Sequence, residues 1–387
     1  YNLSYLSADL VVNQRAVTLT ASQQERAYGN TLILDETAFT VTDLDGDTVL
    51  PNGEVIDTVA LNSATGIDAT TTANVGGYSD EIVITGQAGS NGFSASNYDL
   101  SYATGDLVVS QRAVTVAALP QERIYGEAVV LEDTAFTVTD LDGDSALPHG
   151  ELIDTVILNS AAGVNVGTYA DAIAITGQAG SNGFSASNYD LSYVSADLAV
   201  NQRAVTLTAL QQDRAYGDTM VLDETAFTVT DLDGDSALPN GEVVDAVALN
   251  SVTGIDATTT ANVDAYADEI AITGQSGSNG FSAGNYDLSY ISADLVVNQR
   301  AVTLTASQQE RFYGDTIILD ETAFTVTDLD GDSALPNGEV IDTVALNSVT
   351  GVDFITTSEV GTYADAITIT AQAGSNGFSV GNYDLSY

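Results

Sequence analysis

The chain repeats itself, and self-similarity at a period near one hundred residues means several copies of one unit rather than a single large core. The phrase Tyr-Asp/Asn-Leu-Ser-Tyr begins at Tyr1, Tyr98, Tyr189, Tyr286 and Tyr383, so successive starts lie 97, 91, 97 and 97 residues apart. Gln-Arg-Ala-Val keeps the same phase at Gln14, Gln111, Gln202 and Gln299, and TAFTVTDLDGD does so around Phe39, Phe136, Phe227 and Phe324. The repeats are therefore 14–110, 111–201, 202–298 and 299–387, after residues 1–13, which read as the tail strands of a preceding repeat. The second is six residues short, with NSAAGVNVGTYAD where the first has NSATGIDATTTANVGGYSD, and a length change tolerated there marks an exposed loop.

Within a repeat, apolar residues alternate with polar ones. Val17, Leu19 and Ala21 stand against Thr18 and Thr20, and Phe39 and Val41 against Thr40 and Thr42. Period two of this kind predicts half-buried strands. Ile82 and Ile84, then Tyr98, Leu100 and Tyr102, continue the pattern, and Leu10 and Val12 predict the closing strand of the unit before. The sum is six or seven short strands per repeat, with a short helix or one more strand near residues 52–61. The fold class expected is mostly β: four tandem β-grasp-like or β-sandwich-like modules of about 91–97 residues in an extended rod. Asp9 to Thr20 runs from closing strand to opening strand without Gly or Pro, which restricts bending where a Gly/Ser linker would decouple neighbours. A module of this size is about 35–45 Å long, so four in line span about 150 Å. The fourth repeat stops at Tyr387 before its DLVV-type strand. Two expectations compete: an excerpt of a longer array, or strand donation, in which Tyr1 to Asn13 of one molecule completes the last repeat of another.

Charge narrows the partners. Fifty-four Asp and Glu face 8 basic residues, all of them Arg, for a formal net charge of −46. Nucleic acid and anionic membranes are poor partners for such a chain and divalent cations are good ones. The remaining partners expected are neighbouring repeats and other copies of the chain. The 44% hydrophobic content suffices for ordinary cores. Cysteine is absent, so each module stands on its β core without disulfides or thiolate metal sites. No apolar run approaches the roughly 20 residues of a membrane-spanning helix. With no Cys, no Lys and one His, the usual nucleophile and base pairs are missing, and lysine-dependent isopeptide crosslinks are ruled out. An enzyme is not expected.

A family resemblance rests on the order of phrases in each period. The strand AVTLTA is followed by Arg-x-Tyr-Gly (Arg26 to Gly29, Arg123 to Gly126, Arg214 to Gly217, Arg311 to Gly314). A Gly-Asp turn comes next, then VGTY or a relative (Val166 to Tyr169, Val360 to Tyr363), then a GNYDLSY ending. This order resembles the MBG, or mostly beta-grasp, repeats of large bacterial surface adhesins, over essentially the whole chain. The resemblance implies a β-grasp-like module strung in tandem as the stalk of an extracellular bacterial cell-surface or biofilm-matrix protein. The missing lysine and the acidic DLDGD phrase depart from that pattern, so the resemblance carries no metal site.

Two sets of residues carry candidate chemistry. The motif D-x-D-G-D-x6-E comprises Asp43, Asp45, Asp47 and Glu54, then Asp140, Asp142, Asp144 and Glu151. Its later copies are Asp231, Asp233, Asp235 and Glu242, then Asp328, Asp330, Asp332 and Glu339. Alternating carboxylates with an acid at the twelfth place match the ligand spacing of a calcium loop, except that glycine stands fourth instead of sixth. The same residues also make an ordinary solvated turn. The eight arginines occupy two fixed places, Arg15, Arg112, Arg203 and Arg300 at the junction and Arg26, Arg123, Arg214 and Arg311 before Tyr-Gly. In so acidic a chain they are expected to fork onto carboxylates or carbonyls and lock a junction or turn. His149 replaces the Asn of one PNGE turn and reads as surface variation; GQAGSNGF reads as a turn, and Tyr98, Leu100 and Tyr102 as core. Three functions fit: a stalk or matrix repeat of a giant adhesin, with calcium as a candidate stiffening ion; a self-assembling filament completed by strand donation; and a glycan- or ice-binding repeat presenting Thr18, Thr20, Thr40 and Thr42.

Overall fold

A computed structural model describes residues 1–161 and 163–387. They form two compact units, Tyr1–Arg123 with Ala128–Val200, and Ile124–Glu127 with Asn201–Tyr387. The first repeat has seven strands: β1 (Arg15–Ala21), β2 (Gln24–Ala27), β3 (Phe39–Asp43), β4 (Val55–Ser63), β5 (Gly76–Ser90), β6 (Tyr98–Ala103) and β7 (Gly105–Ser110). They build two sheets, of order β3-β1-β6 and β2-β7-β5-β4. In the first, β1 is antiparallel to β3 and parallel to β6. In the second, β7 runs parallel to β2 and antiparallel to β5, which pairs antiparallel with β4.

The alternation of β1 explains its register. Val17, Leu19 and Ala21 are buried, while Thr18 and Thr20 lie opposite Thr42 and Thr40 of β3 on the other face. A slip of one residue would drive the threonines into the core, so burial fixes the pairing. The core lies between the two sheets, where Val17 and Leu19 meet Ile56, Val59, Ile82, Ile84 and Leu107. Among the described residues only short 3-10 turns interrupt the strands, which makes the module sandwich-like. The segment at 52–61 resolves into such a turn, Pro51–Gly53, followed by β4.

Seven strands recur in the second and third repeats with the same two strand orders. The fourth differs. Among its described residues it has five: Arg300–Ala306, Phe324–Asp328, Val340–Ser348, Ile367–Ser375 and Tyr383–Ser386. The equivalents of β2 and β7 are missing, and the equivalent of β5 begins at Ile367 and has 9 residues rather than 15. At the other terminus residues 1–14 carry no strand, and Leu10 and Val12 are 91% and 88% exposed. The closing strand expected at Leu10 and Val12 is not among the strands of the described residues.

Candidate functional site: the joint between repeats

The four-residue strand β2 leads into Tyr28 and Gly29, whose role lies outside their own repeat. Tyr28 donates its backbone N–H to Ser110 at the end of β7 (2.9 Å), which aims its ring past the module toward the second repeat. There its hydroxyl donates to Glu151 Oε1 at 2.5 Å, and Tyr189 donates to Oε2 of the same carboxylate at 2.6 Å. The two rings meet edge to face, 5.6 Å apart. Glu151, Tyr28 and Tyr189 are all buried. A buried carboxylate is tolerable only when charge-assisted donors satisfy it, and here the donors come from two repeats. Burial, and then the hydrogen bond to Glu151, push the Tyr28 hydroxyl up to about 12. Tyr189 is raised by the same causes.

The same node joins Tyr216, Glu339 and Tyr383 between the third and fourth repeats. Tyr125, which belongs to the second unit, completes it with Glu242 and Tyr286. Gly29 has φ +85, and a Cβ there would stand 2.4 Å from the Pro148 ring; Gly126 and Gly217 meet Pro239 and Pro336 in the same way. Tyr-Gly on one repeat and Pro-x-Gly-Glu on the next are thus two halves of one joint. The cores reflect it. Tyr28 and Val109 belong to the cluster of Val114, Val116, Ile173 and Leu198, and Tyr216 and Val297 to that of Val302, Leu304 and Ile341.

The junction arginines close the joint from the other side. Arg112 opens its strand at an inward-facing position, so its guanidinium emerges at the end of the core. Its Nε and Nη2 donate to Asp140 Oδ2 at 3.0 and 2.6 Å, and Nη2 also pairs with Asp142. Nη1 reaches back into the first repeat, to Asn30 at 2.8 Å and the Tyr28 carbonyl at 3.4 Å. Arg300 repeats this with Asp328 and Asp330 on its own side and Asp218 (2.7 Å) and the Tyr216 carbonyl on the other. Arg203 forks onto Asp231 and Asp233. Arg15 makes the same fork onto Asp43 and Asp45, yet its side chain is 30% exposed against 4% for Arg112.

This geometry decides what the acidic loop does. Asp43 Oδ1 accepts the N–H groups of Asp45 and Asp47 at 2.9 Å, while Oδ2 holds Arg15. The carboxyl of Asp43 is held below the usual carboxylate range, chiefly by Arg15. Burial alone would raise Asp140, but the hydrogen bonds from Arg112 and from the Asp142 and Asp144 N–H groups outweigh it and the result is lowered. Glu54 is engaged elsewhere, by the Tyr98 hydroxyl at 2.6 Å. Among the described residues no three or more His, Cys, Asp or Glu side chains group so as to hold a metal ion. In all four loops a guanidinium donates to Oδ2 of the first Asp.

The second set of arginines straps loops. Arg26 donates to the carbonyls of Asn30 and Thr70 at 2.7 Å and Ile67 at 3.1 Å, and Arg214 does the same for Asp218, Thr258 and Ile255. Arg123 reaches Gly163 and Arg311 reaches Asp315 and Ile355. The long loop after β4 in turn grips the second repeat, with the Val75 N–H on Asn188 at 3.2 Å. His149 takes part modestly: its Nε2 lies 3.0 Å from the Thr71 carbonyl and its ring meets Tyr28 edge-on. Tyr98 is buried, whereas Tyr102 is 45% exposed with its hydroxyl on Gln87.

The reading from residues alone singled out Glu54, Glu151, Glu242 and Glu339 for metal and passed over Tyr28, Tyr125 and Tyr216. The signal was there: Tyr-Gly and Pro-x-Gly-Glu keep one phase in all four repeats, and a fixed phase without a metal-ligand geometry points to mutual contact.

The fold and joint define a mostly-β tandem-repeat protein whose modules interlock through a Tyr-Gly signature. The family described as MBG domain (YGX type) matches residues 17–108 and 114–199, so the first and second repeats are MBG domains of that type, and the third and fourth carry the same phrases in the same order. MBG is a structural domain type rather than an enzyme family, and its members typically occur in surface proteins. No curated protein matches the chain. Among the described residues no helix is long and apolar enough to cross a membrane.

Proposed function

We propose that the chain is a spacer segment of a large bacterial surface protein, such as an adhesin or a biofilm-matrix protein, outside the cell, where its repeats hold a binding end at a distance and bear load. The observation that carries this reading is the joint. One residue, Gln111, separates β7 from the strand Arg112–Ala118, and the second tyrosine on the buried Glu151 and the Arg112 Nη1 contact to Asn30 are made only when neighbours dock. Independent beads would leave those groups in water; interlocked ones resist bending, and reach grows with each copy. A mechanical task also suits the side-chain inventory, which lacks Cys and Lys. Small-angle scattering tests it: a compact 387-residue body has a radius of gyration of about 21 Å, and the spacer reading requires about twice that. A value near the compact one rejects it. Labelling of the chain by an impermeant antibody on intact cells tests the location.

A further inference from the structure

The two ends of a repeat are paired with each other. In the first repeat, residues 15–20 of β1 lie parallel to 98–103 of β6, and residues 24–27 of β2 lie parallel to 107–110 of β7. The two pairings belong to different sheets, yet both keep one offset, 83 residues. The opening segment 15–27 and the closing segment 98–110 therefore run side by side in a single register that passes from one sheet to the other. The Tyr28 N–H extends it by one more bond, to the Ser110 carbonyl at 2.9 Å. Side chains join across it as well, with the Thr18 and Ser101 hydroxyls 2.8 Å apart. At about 3.3 Å per residue, the paired length is about 40 Å.

The third repeat is built alike: 203–208 pairs with 286–291 and 212–215 with 295–298, again at an offset of 83. In the second repeat 112–117 pairs with 189–194 at an offset of 77. The difference is its six-residue deletion, which falls between the two segments and leaves their pairing unchanged. Neither segment is a loose flap. β1 is the centre of its sheet and is held from behind by β3, while β7 lies inside the other sheet and is held by β5. Val17 and Leu19 of the opening segment and Leu107 and Val109 of the closing one are buried in the core.

Tension enters a repeat at the start of the opening segment and leaves at the end of the closing one, which runs through Gln111 into Arg112, the first residue of the next opening strand. Parallel pairing puts these two points at opposite ends of the ladder. Tension then slides one segment along the other, and the evenly spaced bonds of the ladder are strained together, whereas pulling at one end would break them in turn. We propose that segments 15–27 and 98–110, with their counterparts in the second and third repeats, form a shear clamp that sets the force at which each repeat opens. The clamp deepens the load-bearing part of the spacer reading and rests on it for its purpose; pulling tests the clamp wherever the protein resides, and scattering tests the spacer reading whatever the clamp does. Loop length drops out of the mechanics. The loop after β4 lies in the stretch that the clamp shields, so it can lose six residues without loss of strength.

Single-molecule pulling on the full chain tests the proposal, and a chain without cysteine accepts attachment points at will. Gln202→Cys with Gln299→Cys brackets the third repeat and loads its ladder lengthwise. Gln202→Cys with Gly284→Cys puts both handles at one end of the ladder, since the Gln202 amide donates to the Gly284 carbonyl at 3.2 Å; all three positions are exposed. The first geometry should open the repeat at a force several-fold higher than the second and release about 300 Å of chain in one step. Leu207→Ala, inside the clamp, and Val247→Ala, on the strand Val243–Ser251 outside it, each empty a fully buried site. With both normalised to their stability in chemical denaturant, Leu207→Ala should lower the lengthwise force far more than Val247→Ala. Equal forces in the two geometries overturn the proposal, as does a Val247→Ala chain that weakens lengthwise as much as Leu207→Ala.

Discussion

Six identical residues occur in this chain as a strand and as a segment without structure. Ala293–Asn298 is a central strand with Leu295 0% exposed, whereas residues 8–13, the same six letters, have Leu10 91% exposed. Propensity, alternation and local charge are equal in the two places, so none of them makes the strand. The difference is the sheet on either side, which supplies both the backbone partners and the apolar cover. The converse holds in the fourth repeat, where 309–312 and 361–366 carry no strand although their equivalents in the other three repeats do. A strand and its neighbours form one cooperative element.

The sharpest way to break this comparison is to make one substitution in both copies. Leu295→Ala removes a fully buried side chain and should cost about 2–5 kcal/mol in denaturant unfolding, with the loss felt in both the third and fourth repeats. Leu10→Ala, at a position 91% exposed, should leave the unfolding curve where it was. Equal effects at the two sites would mean that Leu10 is as well packed as Leu295.

Next in size are the joint residues, which also occur in docked and undocked versions. Tyr216→Phe deletes a hydrogen bond to the buried Glu339 carboxylate and should cost about 1.5–3 kcal/mol, whereas Tyr313→Phe, at an exposed ring, should cost almost nothing. Gly217→Ala suffers twice, from φ +89 and from a Cβ 2.3 Å from Pro336. Gly314→Ala, at φ +90 with nothing nearby, suffers only the backbone strain, about 1 kcal/mol. Thermal unfolding of the four variants ranks them.

The comparison also shows what a sequence can reveal. The repeat period, the two-residue alternation of β1 and β3 and the exposed loop marked by the six-residue deletion are local or periodic signals, and each is visible in the letters. The status of residues 8–13 is not, because it depends on a partner sheet that the segment itself does not encode. Glu151 is similar: its first tyrosine lies 123 residues away, so only the shared phase of two short phrases hints at the contact. The DLDGD loop is ambiguous for a different reason. Carboxylates spaced to gather round a cation look alike whether that cation is a metal or an arginine 28 residues upstream.

Alkaline pH separates docked tyrosines with unusual clarity, because no lysine titrates in the same range. Tyr28 and Tyr98 are raised to about 12, by burial first and by hydrogen bonds to Glu151 and Glu54 second. The folded chain therefore holds protons that the unfolded chain releases near pH 10. Stability from these groups is complete below pH 10 and is lost as pH rises through about 12. Unfolding midpoints should fall across that window while tyrosinate absorbance rises with the same midpoint. At the acid end the sign reverses: Asp140, Asp231 and Asp328 are lowered, since burial is outweighed by arginine and backbone donors. Their contribution is present above about pH 4, where such carboxyls ordinarily titrate, and disappears as pH falls below it.

The smallest expected effect concerns calcium, and it separates two meanings of an acidic repeat. A chain of charge −46 gains stability from any cation that screens its self-repulsion, so adding calcium to a salt-free solution must raise the melting temperature whether or not a site exists. The informative titration holds ionic strength fixed. With Asp43 and its three counterparts already saturated by arginine and backbone N–H groups, calcium should then shift the melting temperature no more than magnesium does. Arg112→Gln supplies the other arm. Without its guanidinium, Asp140 and Asp142 repel each other at the joint, so the variant should be destabilised by about 3–5 kcal/mol and should recover part of that loss as divalent cation is added. If calcium alone stabilised the unmodified chain at constant ionic strength, the loops would be metal sites and the arginine forks their resting state.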